Sequence, residues 1–153
     1  ETPSLFIEIG STSETWGHIK AAKILSGIIF RGLGLDGGQE IGKWGGEGTV
    51  VVTLGGGHYA PRANMLGMHE HVWIGHMLAT YALPFERDEA GNVTGMWENS
   101  IRKAIASTKS AFPGGNIVCS MDKKAFKGWQ RQAIRDLLEE LDIPLLKSRQ
   151  IIE

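Results

Sequence analysis

Residues 49–62 read TVVVTLGGGHYAPR, an apolar and β-branched run followed at once by three glycines and a His-Tyr pair. A continuously apolar run of this length is typical of a strand that is covered on both faces in an α/β sheet. Glycines directly after such a strand let the backbone turn sharply and bring N–H groups close to a ligand. Because α/β sheets bind ligands at the carboxyl ends of their strands, the stretch predicts a central strand with a site at its end.

The side chains around this glycine cluster suit chemistry on a polar substrate. His58 can act as a general base, a hydrogen-bond donor or a metal ligand, and Arg62 can bind a phosphate or carboxylate with two parallel bonds. Gly56 and Gly57 are expected to form the floor of the pocket. The G-x-G-x-x-G spacing and the G-K-S/T ending are absent, so neither a dinucleotide nor a nucleoside triphosphate is indicated. A tight turn without a ligand is the alternative.

The rest of the chain alternates strand and helix patterns around this strand. We predict strands over residues 5–9, 116–119 and 144–146, helices over 14–33, 97–111 and 125–141, a glycine-rich loop over 32–48, and a turn over 87–94. The apolar segment 72–83 fits either a strand or a helix. The alternation predicts an α/β fold, with layered helices on a mostly parallel or mixed sheet, in a single domain spanning residues 1–153.

The composition excludes several classes of protein. No apolar run approaches the roughly 20 residues that a bilayer crossing needs, so we expect no membrane span. One cysteine, Cys119, cannot form an internal disulfide or a cysteine zinc cage, which favours a reducing, cytoplasmic setting. The chain begins at Glu1 without Met, so we expect it to be a portion of a longer chain.

The net charge of −1 hides an uneven distribution. Residues 102–149 carry ten basic and five acidic side chains, an excess of five positive charges that we call the basic stretch. A polyanion responds to local potential rather than to net charge, so the basic stretch could face phosphates. The alternative is an ordinary solvated helix face.

Histidines and one buried-looking carboxylate extend the candidate site. Four of the five histidines lie between positions 58 and 76, and zinc accepts imidazole readily. Part of the set His58, His69, His71 and His76 could therefore hold zinc, with His58 and His76 as the candidate ligands. The H-E-x-x-H pattern is absent, and chance clustering of surface histidines is the alternative. Glu8 lies in an apolar strand at its carboxyl end, where it would be paired, ligating or protonated unless that face is wet.

Side chains after the other strands are weaker candidates. Asp122 follows the predicted strand 116–119 and could ligate, anchor a partner or merely cap the next helix. Cys119 has no His or Asn near it in sequence, so a buried, unreactive thiol is favoured over a nucleophile. Ser120 lacks the G-x-S-x-G elbow of serine hydrolases.

Four blocks of residues stand out along the chain: IEIGS with Glu14 and Trp16, GGGHYAPR at 55–62, GHML with YAL at 75–83, and DKK with FKG at 122–128. Together they resemble the archaeal and plant type D-aminoacyl-tRNA deacylases. The resemblance implies a core similar to peptidyl-tRNA hydrolase, an associated zinc, and a pocket formed by Glu8, His58, Tyr59, Arg62 and His76. It also implies that Lys124 and Lys127 lie in the region that faces tRNA.

The resemblance implies a hydrolase that cleaves the ester of D-aminoacyl-tRNA to free D-amino acid and tRNA, as translation quality control. Ester hydrolysis needs an activated water and a stabilised oxyanion, which His58, His76 and Glu8 together with the glycine N–H groups could supply. Two alternatives stay open. One is a metal-dependent amidase or peptidase on small substrates, and the other is a tRNA-binding domain without catalysis.

Overall fold

The computed structural model describes residues 7, 9, 10 and 12–153. Glu8 and most of the predicted strand 5–9 lie outside the described residues. The chain divides into two units, Glu1–Gly45, which we call the N-terminal unit, and Gly46–Glu153, which we call the sheet unit. No helix among the described residues combines the length and the apolar character that crossing a bilayer requires.

The N-terminal unit contains helix α1 (Ile19–Gly32). It begins later than the sequence predicts because His18 provides the cap, its Nδ1 accepting a hydrogen bond of 3.1 Å from the N–H of Ala21. None of its residues is buried, so the apolar stripe of α1 is not covered within this unit. Residues 33–45 form turns without a helix or strand, as the glycine pattern predicts.

A parallel sheet forms the centre of the sheet unit. Its order is β2 (Val72–Leu78), β1 (Thr49–Leu54) and β5 (Asn116–Met121), with both neighbours parallel to β1. Val50, Val51 and Val52 have no exposed surface, which confirms the prediction of a central strand covered on both faces. The predicted strand 144–146 is reduced to one parallel bridge between Leu145 and Cys119.

Helices cover both faces of this sheet. On one face α3 (Trp97–Ala111) and α4 (Gly128–Glu140) pack with Val52, Leu54 and other alternate positions of the strands. On the other face Leu66 of α2 (Pro61–Gly67) and Ile151 of α5 (Ser148–Ile152) pack with Val51. The strands alternate between the two clusters because successive side chains point to opposite faces. The layered α/β prediction is therefore confirmed.

Several element boundaries differ from the sequence prediction for local reasons. The ambiguous segment becomes β2 followed by a 3-10 turn at Thr80–Ala82. The predicted turn 87–94 contains a small hairpin of β3 (Glu86–Arg87) and β4 (Val93–Thr94). Helix α4 begins at Gly128 rather than at 125 because Lys123–Ala125 forms a separate 3-10 turn. Helices α2 and α5 have seven and five residues, which is too short to show a helical period in the sequence.

The pairing of β2 with β1 contains a register shift. Val51 pairs with Ile74 and Val52 pairs with His76, so Gly75 is an extra residue in β2. Such a bulge reverses the alternation of the side chains that follow it. His76 therefore lies on the face covered by α3, where its Nδ1 is 3.2 Å from the hydroxyl of Thr108.

Candidate active site and the adjoining basic cleft

The glycine turn, residues 55–57, joins the end of β1 to the neighbouring strand β2. Gly55 donates its N–H to the carbonyl of Leu78 at 2.7 Å. The N–H of Gly56 donates to Oγ1 of Thr80 at 3.0 Å, and the carbonyl of Gly56 accepts from Thr80 at the same distance. Gly55 and Gly56 have φ of +84° and +94°, a region that favours glycine. The turn therefore needs glycine for its backbone conformation and is fixed in place by Thr80.

Asp122 lies against the other side of the glycine turn, at the end of β5. Its N–H donates to the carbonyl of Leu54 at 2.9 Å, and its Oδ1 accepts from the N–H of Lys124 at 3.1 Å. Nη2 of Arg62 is 3.5 Å from the same carboxylate. A Cβ placed on Gly56 would be 3.9 Å from Oδ2. Asp122 therefore acts as a cap and as the partner of Arg62, which it holds close to the turn.

His58 and Tyr59 follow the turn and are both exposed. The two rings meet edge to face with centroids 5.4 Å apart. The side-chain amide of Asn64 donates to the carbonyl of Tyr59 at 2.9 Å and ties this loop to α2. Among the described residues, no hydrogen bond engages the ring of His58 or the N–H groups of Gly57 and His58. A base and backbone donors are thus available side by side.

His76 occupies a different environment from His58. It is half-buried in β2 with Thr108 of α3 as its hydrogen-bond partner, whereas His58 precedes α2, which packs on the other face. No hydrogen bond joins the two histidines in the part of the chain that the structure describes, and Glu8 lies outside it. A joint pocket of His58, His76 and Glu8 stays a prediction.

The fit of these residues to zinc can be judged from the donor set. Within residues 7, 9, 10 and 12–153 no group of three or more His, Cys, Asp or Glu side chains converges as metal ligands. A catalytic zinc usually has three protein ligands. The described residues therefore do not fit such a centre.

A cleft of about 680 Å³ adjoins the glycine turn on the side of β5. We call it the basic cleft, because its lining has five cationic and two acidic side chains. The charged residues are Arg62, Lys123, Lys124, Arg135, Lys147, Asp122 and Glu139, and the remainder are Ser120, Met121, Leu138, Ile143, Leu145, Leu146, Ser148 and Gln150. Arg62 and Asp122 form a wall common to the cleft and the turn.

The predicted substrate-binding lysines lie in different places. Lys124 is exposed and lines the basic cleft, whereas Lys127 is exposed at the start of α4, outside the lining of that cleft. The N–H of Lys127 donates to Oε1 of Gln130 at 2.7 Å and so helps to cap α4. Arg135 and Lys147 belong to the basic stretch, but the sequence does not distinguish them, because only the fold brings them to the cleft.

The two alternative nucleophiles are unsuitable for catalysis. Cys119 has no exposed surface, and burial raises the pKa of its thiol to about 12, which suppresses the reactive thiolate. Ser120 is 2% exposed in the lining of the cleft.

Thr80, which fixes the glycine turn through its hydroxyl, is not identifiable from the sequence, because no motif or spacing around it indicates that role.

Comparisons with known proteins identify relatives of this chain. The family model described as D-aminoacyl-tRNA deacylase matches residues 1–146. A D-aminoacyl-tRNA deacylase of Arabidopsis thaliana is 42% identical over 92% of this chain and 48% of its own length. One from Pyrococcus abyssi is 33% identical over 97% of this chain and 46% of its own length. The chain thus spans about half the length of the relatives that it matches.

A solved structure supports the fold independently of function. The crystal structure of a conserved protein of unknown function aligns with a TM-score of 0.62 over 93% of this chain and 42% of that chain, at 21% identity. At this identity the likeness shows the α/β fold alone. The family match covers nearly the whole chain, including the glycine turn, Arg62 and Asp122. This chain belongs to the D-aminoacyl-tRNA deacylase family.

Proposed function

We propose that this chain takes part in the hydrolysis of the ester that joins a D-amino acid to tRNA, releasing both as translation quality control. The observation that carries the proposal is the common wall of Arg62 and Asp122, which sets a cationic cleft beside a loop that offers an imidazole and backbone donors. A substrate with a reactive ester at the end of a polyanion matches that combination. The D configuration of the amino acid rests on the family description.

The chemistry follows from the loop at residues 55–59. Neutral His58 accepts a proton from water, and the water oxygen attacks the carbonyl carbon of the ester. The carbonyl oxygen takes the negative charge and accepts hydrogen bonds from the N–H groups of Gly57 and His58. The tetrahedral intermediate then collapses, the bond to the ribose oxygen breaks, and that oxygen leaves with the proton held by His58. The products are a free amino acid and tRNA with its terminal hydroxyl restored.

The phosphates of the tRNA would be bound at a distance from the reacting atoms. Lys124, in the basic cleft, and Lys127, at the start of α4, are proposed to contact phosphates of the tRNA, as the resemblance implies. Because the substrate is used in translation, we propose a cytoplasmic location. Zinc stays a prediction from the resemblance, and incubation with a chelator tests it.

The direct test is incubation of the chain with D- and L-aminoacyl-tRNA, with and without a chelator. Release of the D-amino acid from tRNA, with slower release of the L-amino acid, is expected. Loss of activity with chelator, restored by zinc, would require a metal that the described residues do not account for. Binding of tRNA without turnover would favour the alternative of a tRNA-binding domain without catalysis. Turnover of small amides that is insensitive to salt would favour the amidase or peptidase alternative.

The role of His58 is tested by His58→Ala. If His58 takes the proton in the transition state, kcat falls by about 100-fold or more while the affinity for tRNA changes little. Glu70→Ala, on the exposed segment between α2 and β2, is a matched surface control that keeps normal turnover. Normal turnover in His58→Ala would show that another group activates the water, even with the family assignment intact.

A further inference from the structure

One oxygen of the Asp122 carboxylate has no hydrogen-bond partner in the described part of the chain. Oδ1 accepts from the N–H of Lys124 at 3.1 Å and lies 3.5 Å from Nη2 of Arg62. No described residue donates a hydrogen bond to Oδ2. The side chain is 27% exposed, so a ligand can reach it. An ionised carboxyl group only accepts hydrogen bonds, so Oδ2 is available to a donor on a ligand.

This free oxygen faces the glycine turn. A Cβ placed on Gly56 would lie 3.9 Å from Oδ2, so only the absence of a side chain separates the turn from the carboxylate. Gly57 and His58, whose N–H groups are the proposed oxyanion donors, follow Gly56 directly in the chain. The carboxylate and these donors therefore border the same small region around Gly56.

The charge of Asp122 is only partly used by Arg62. Charge-assisted N–H···O bonds are usually about 2.7–2.9 Å long, whereas Nη2 and Oδ1 are 3.5 Å apart. The side chain of Arg62 is 46% exposed, so water screens the pair. Within residues 7, 9, 10 and 12–153, no lysine forms an ion pair with Asp122. The carboxylate can therefore accept a second cationic donor.

The ester that is the proposed substrate brings one cationic group close to this region. Its α-ammonium group is two bonds from the carbonyl carbon that the water attacks. When the N–H groups of Gly57 and His58 hold the carbonyl oxygen, the ammonium group lies beside the same turn. A carboxylate attracts a cation by Coulomb interaction in addition to accepting its hydrogen bond, whereas the ribose hydroxyls are neutral donors. Charge therefore favours the ammonium group as the partner of Oδ2.

We propose that Asp122 is a specificity-determining residue, which binds the α-ammonium group of the aminoacyl ester through Oδ2. It favours esters of amino acids over esters of the corresponding hydroxy acids. The identity of this substrate rests on the proposed function. Oδ1 keeps its separate role, in which it caps the 3-10 turn Lys123–Ala125 and holds Arg62.

The test compares two esters that differ only in this group. They are D-phenylalanyl-tRNA and D-phenyllactyl-tRNA, in which a hydroxyl group replaces the ammonium group. The ratio of their kcat/KM values is measured for the parent chain and for Asp122→Asn, whose amide oxygen can still accept from the N–H of Lys124. The preference for the D-phenylalanyl ester should fall by about tenfold or more in Asp122→Asn, because the variant loses a hydrogen bond between charged groups.

The ratio separates this role from a structural one. The difference in intrinsic reactivity between the two esters is the same for both chains, so it cancels. A displacement of Arg62 or a weaker cap in Asp122→Asn lowers turnover of both esters alike and leaves the ratio unchanged. The matched control Asp136→Asn removes an exposed carboxylate of α4 outside the basic cleft and should keep the preference of the parent chain.

A binding measurement separates this inference from the proposed function. tRNA that carries the D-phenylalanyl or the D-phenyllactyl group through a 3′-amide has no ester to hydrolyse, and its affinity is measured with the same three chains. The parent chain should bind the amide with the ammonium group more tightly, and this preference should be lost in Asp122→Asn but kept in Asp136→Asn.

Each outcome decides for or against the role of Asp122. A preference that is equal in the parent chain and Asp122→Asn, for the esters or, where neither ester is hydrolysed, for the amides, would overturn it. If the parent chain still hydrolyses the D-phenylalanyl ester in that case, the proposed function stands. If it hydrolyses neither ester, but its preference between the amides is lost in Asp122→Asn, the role of Asp122 stands and the proposed function fails.

Discussion

At the scale of single residues, Thr80 determines the position of the glycine turn. Its hydroxyl both accepts from and donates to Gly56, at 3.0 Å in each direction. It follows β2, whereas the turn follows β1, so the pair joins the carboxyl ends of two neighbouring strands. Backbone donors that stabilise an oxyanion must be held in place before the reaction. Thr80 is therefore a positioning residue for the proposed reaction.

Thr80→Val tests this role. Loss of both hydrogen bonds at an exposed site should lower the free energy of unfolding by about 1 kcal/mol, while kcat falls more than KM changes. Thr80→Ser keeps the hydroxyl and should restore most of kcat, which a merely structural role would not require. Thermal unfolding and single-turnover kinetics provide the two readouts. Equal kcat in the Val and Ser variants would contradict the positioning role.

Gly55 is the residue of the turn with least room for a side chain. At φ +84° a Cβ would lie 2.5 Å from Cε2 of Phe126, a buried residue of the core. Gly91 has the same φ of +84° with nothing within 4 Å of such a Cβ. The two glycines therefore separate the cost of the backbone conformation from the cost of overlap.

Gly55→Ala and Gly91→Ala form a matched pair. Both place Ala in the left-handed region, which costs roughly 1–2 kcal/mol. Gly55→Ala adds overlap with Phe126, so its free energy of unfolding should fall by about 1–3 kcal/mol more than that of Gly91→Ala. Denaturant unfolding measures both values. Equal losses in the two variants would show that Phe126 moves aside freely.

At the scale of elements, β5 is enclosed by β1, the helices α3 and α4, and the segment around Leu145. Cys119, in its middle, bonds through its N–H to the carbonyl of Pro144 at 2.8 Å and through its carbonyl to the N–H of Leu146 at 2.9 Å. Burial raises the pKa of its thiol from 9.0 to about 12. The element therefore holds the thiol in its neutral form at pH values where an unfolded chain would release the proton.

This raised pKa predicts how stability changes with pH. Between about 9 and 12 the unfolded thiol is ionised and the native thiol is not, so rising pH favours the unfolded chain. Below a pH of about 9 the thiol is neutral in both states and does not change the free energy of unfolding. Through the window above this pH, the free energy of unfolding falls by at most about 1.4 kcal/mol for each pH unit. Cys119→Ala lacks the titrating group and should lose less stability over the same window. Parallel slopes for the two chains, measured by denaturant unfolding, would contradict a buried neutral thiol.

The elements also show where sequence patterns are sufficient. β1 and α3 have the bounds that the sequence predicts, because each is bordered by glycine or proline. In addition, β1 is continuously apolar and β-branched, and α3 keeps a helical spacing of its apolar residues. The segment 72–83 could not be assigned because its apolar residues satisfy both periods, and pairing with β1 decides for a strand. The predicted start of α4 lies three residues early because Asp122 caps a 3-10 turn first, which the helical pattern of Phe126 and Trp129 conceals.

At the scale of the whole molecule, the parallel sheet explains why part of the candidate site could be predicted. Carboxyl ends of parallel strands meet at one edge, so the glycine turn, Arg62 and Asp122 could be grouped from their positions after strands. Arg135 and Lys147 come from α4 and from the segment before α5. No spacing rule connects them to Arg62, so only the folded chain identifies the basic cleft.

The distribution of charge over the molecule gives a prediction for tRNA binding. Lys124→Glu/Lys127→Glu should weaken binding and reduce the slope of log K against log salt by about 0.7 to 0.9 for each phosphate that the lysines no longer neutralise. Lys103→Glu/Lys109→Glu makes the same change of charge on α3 and should leave the slope closer to that of the parent chain. Thermal unfolding checks that both variants fold. An unchanged slope in Lys124→Glu/Lys127→Glu would show that these lysines belong to a solvated face.

Because Gly75 is an extra residue in β2, the face on which a later side chain lies depends on the register of the strand as well as on the residue itself. In a regular strand that kept Gly75, His76 would pair with Thr53 and share the face of Ile74, away from Thr108. A Cβ on Gly75 would overlap Thr108, and the bulge turns His76 to the same side, so Gly75 and His76 both face α3. A chain without residue 75 would still direct its histidine toward α3, whereas one with a regular seven-residue strand would direct it toward α2. Two chains with the same histidine can therefore present it on opposite sides of the sheet. The number of residues in β2 before the histidine, rather than the identity of the residue, distinguishes the two cases.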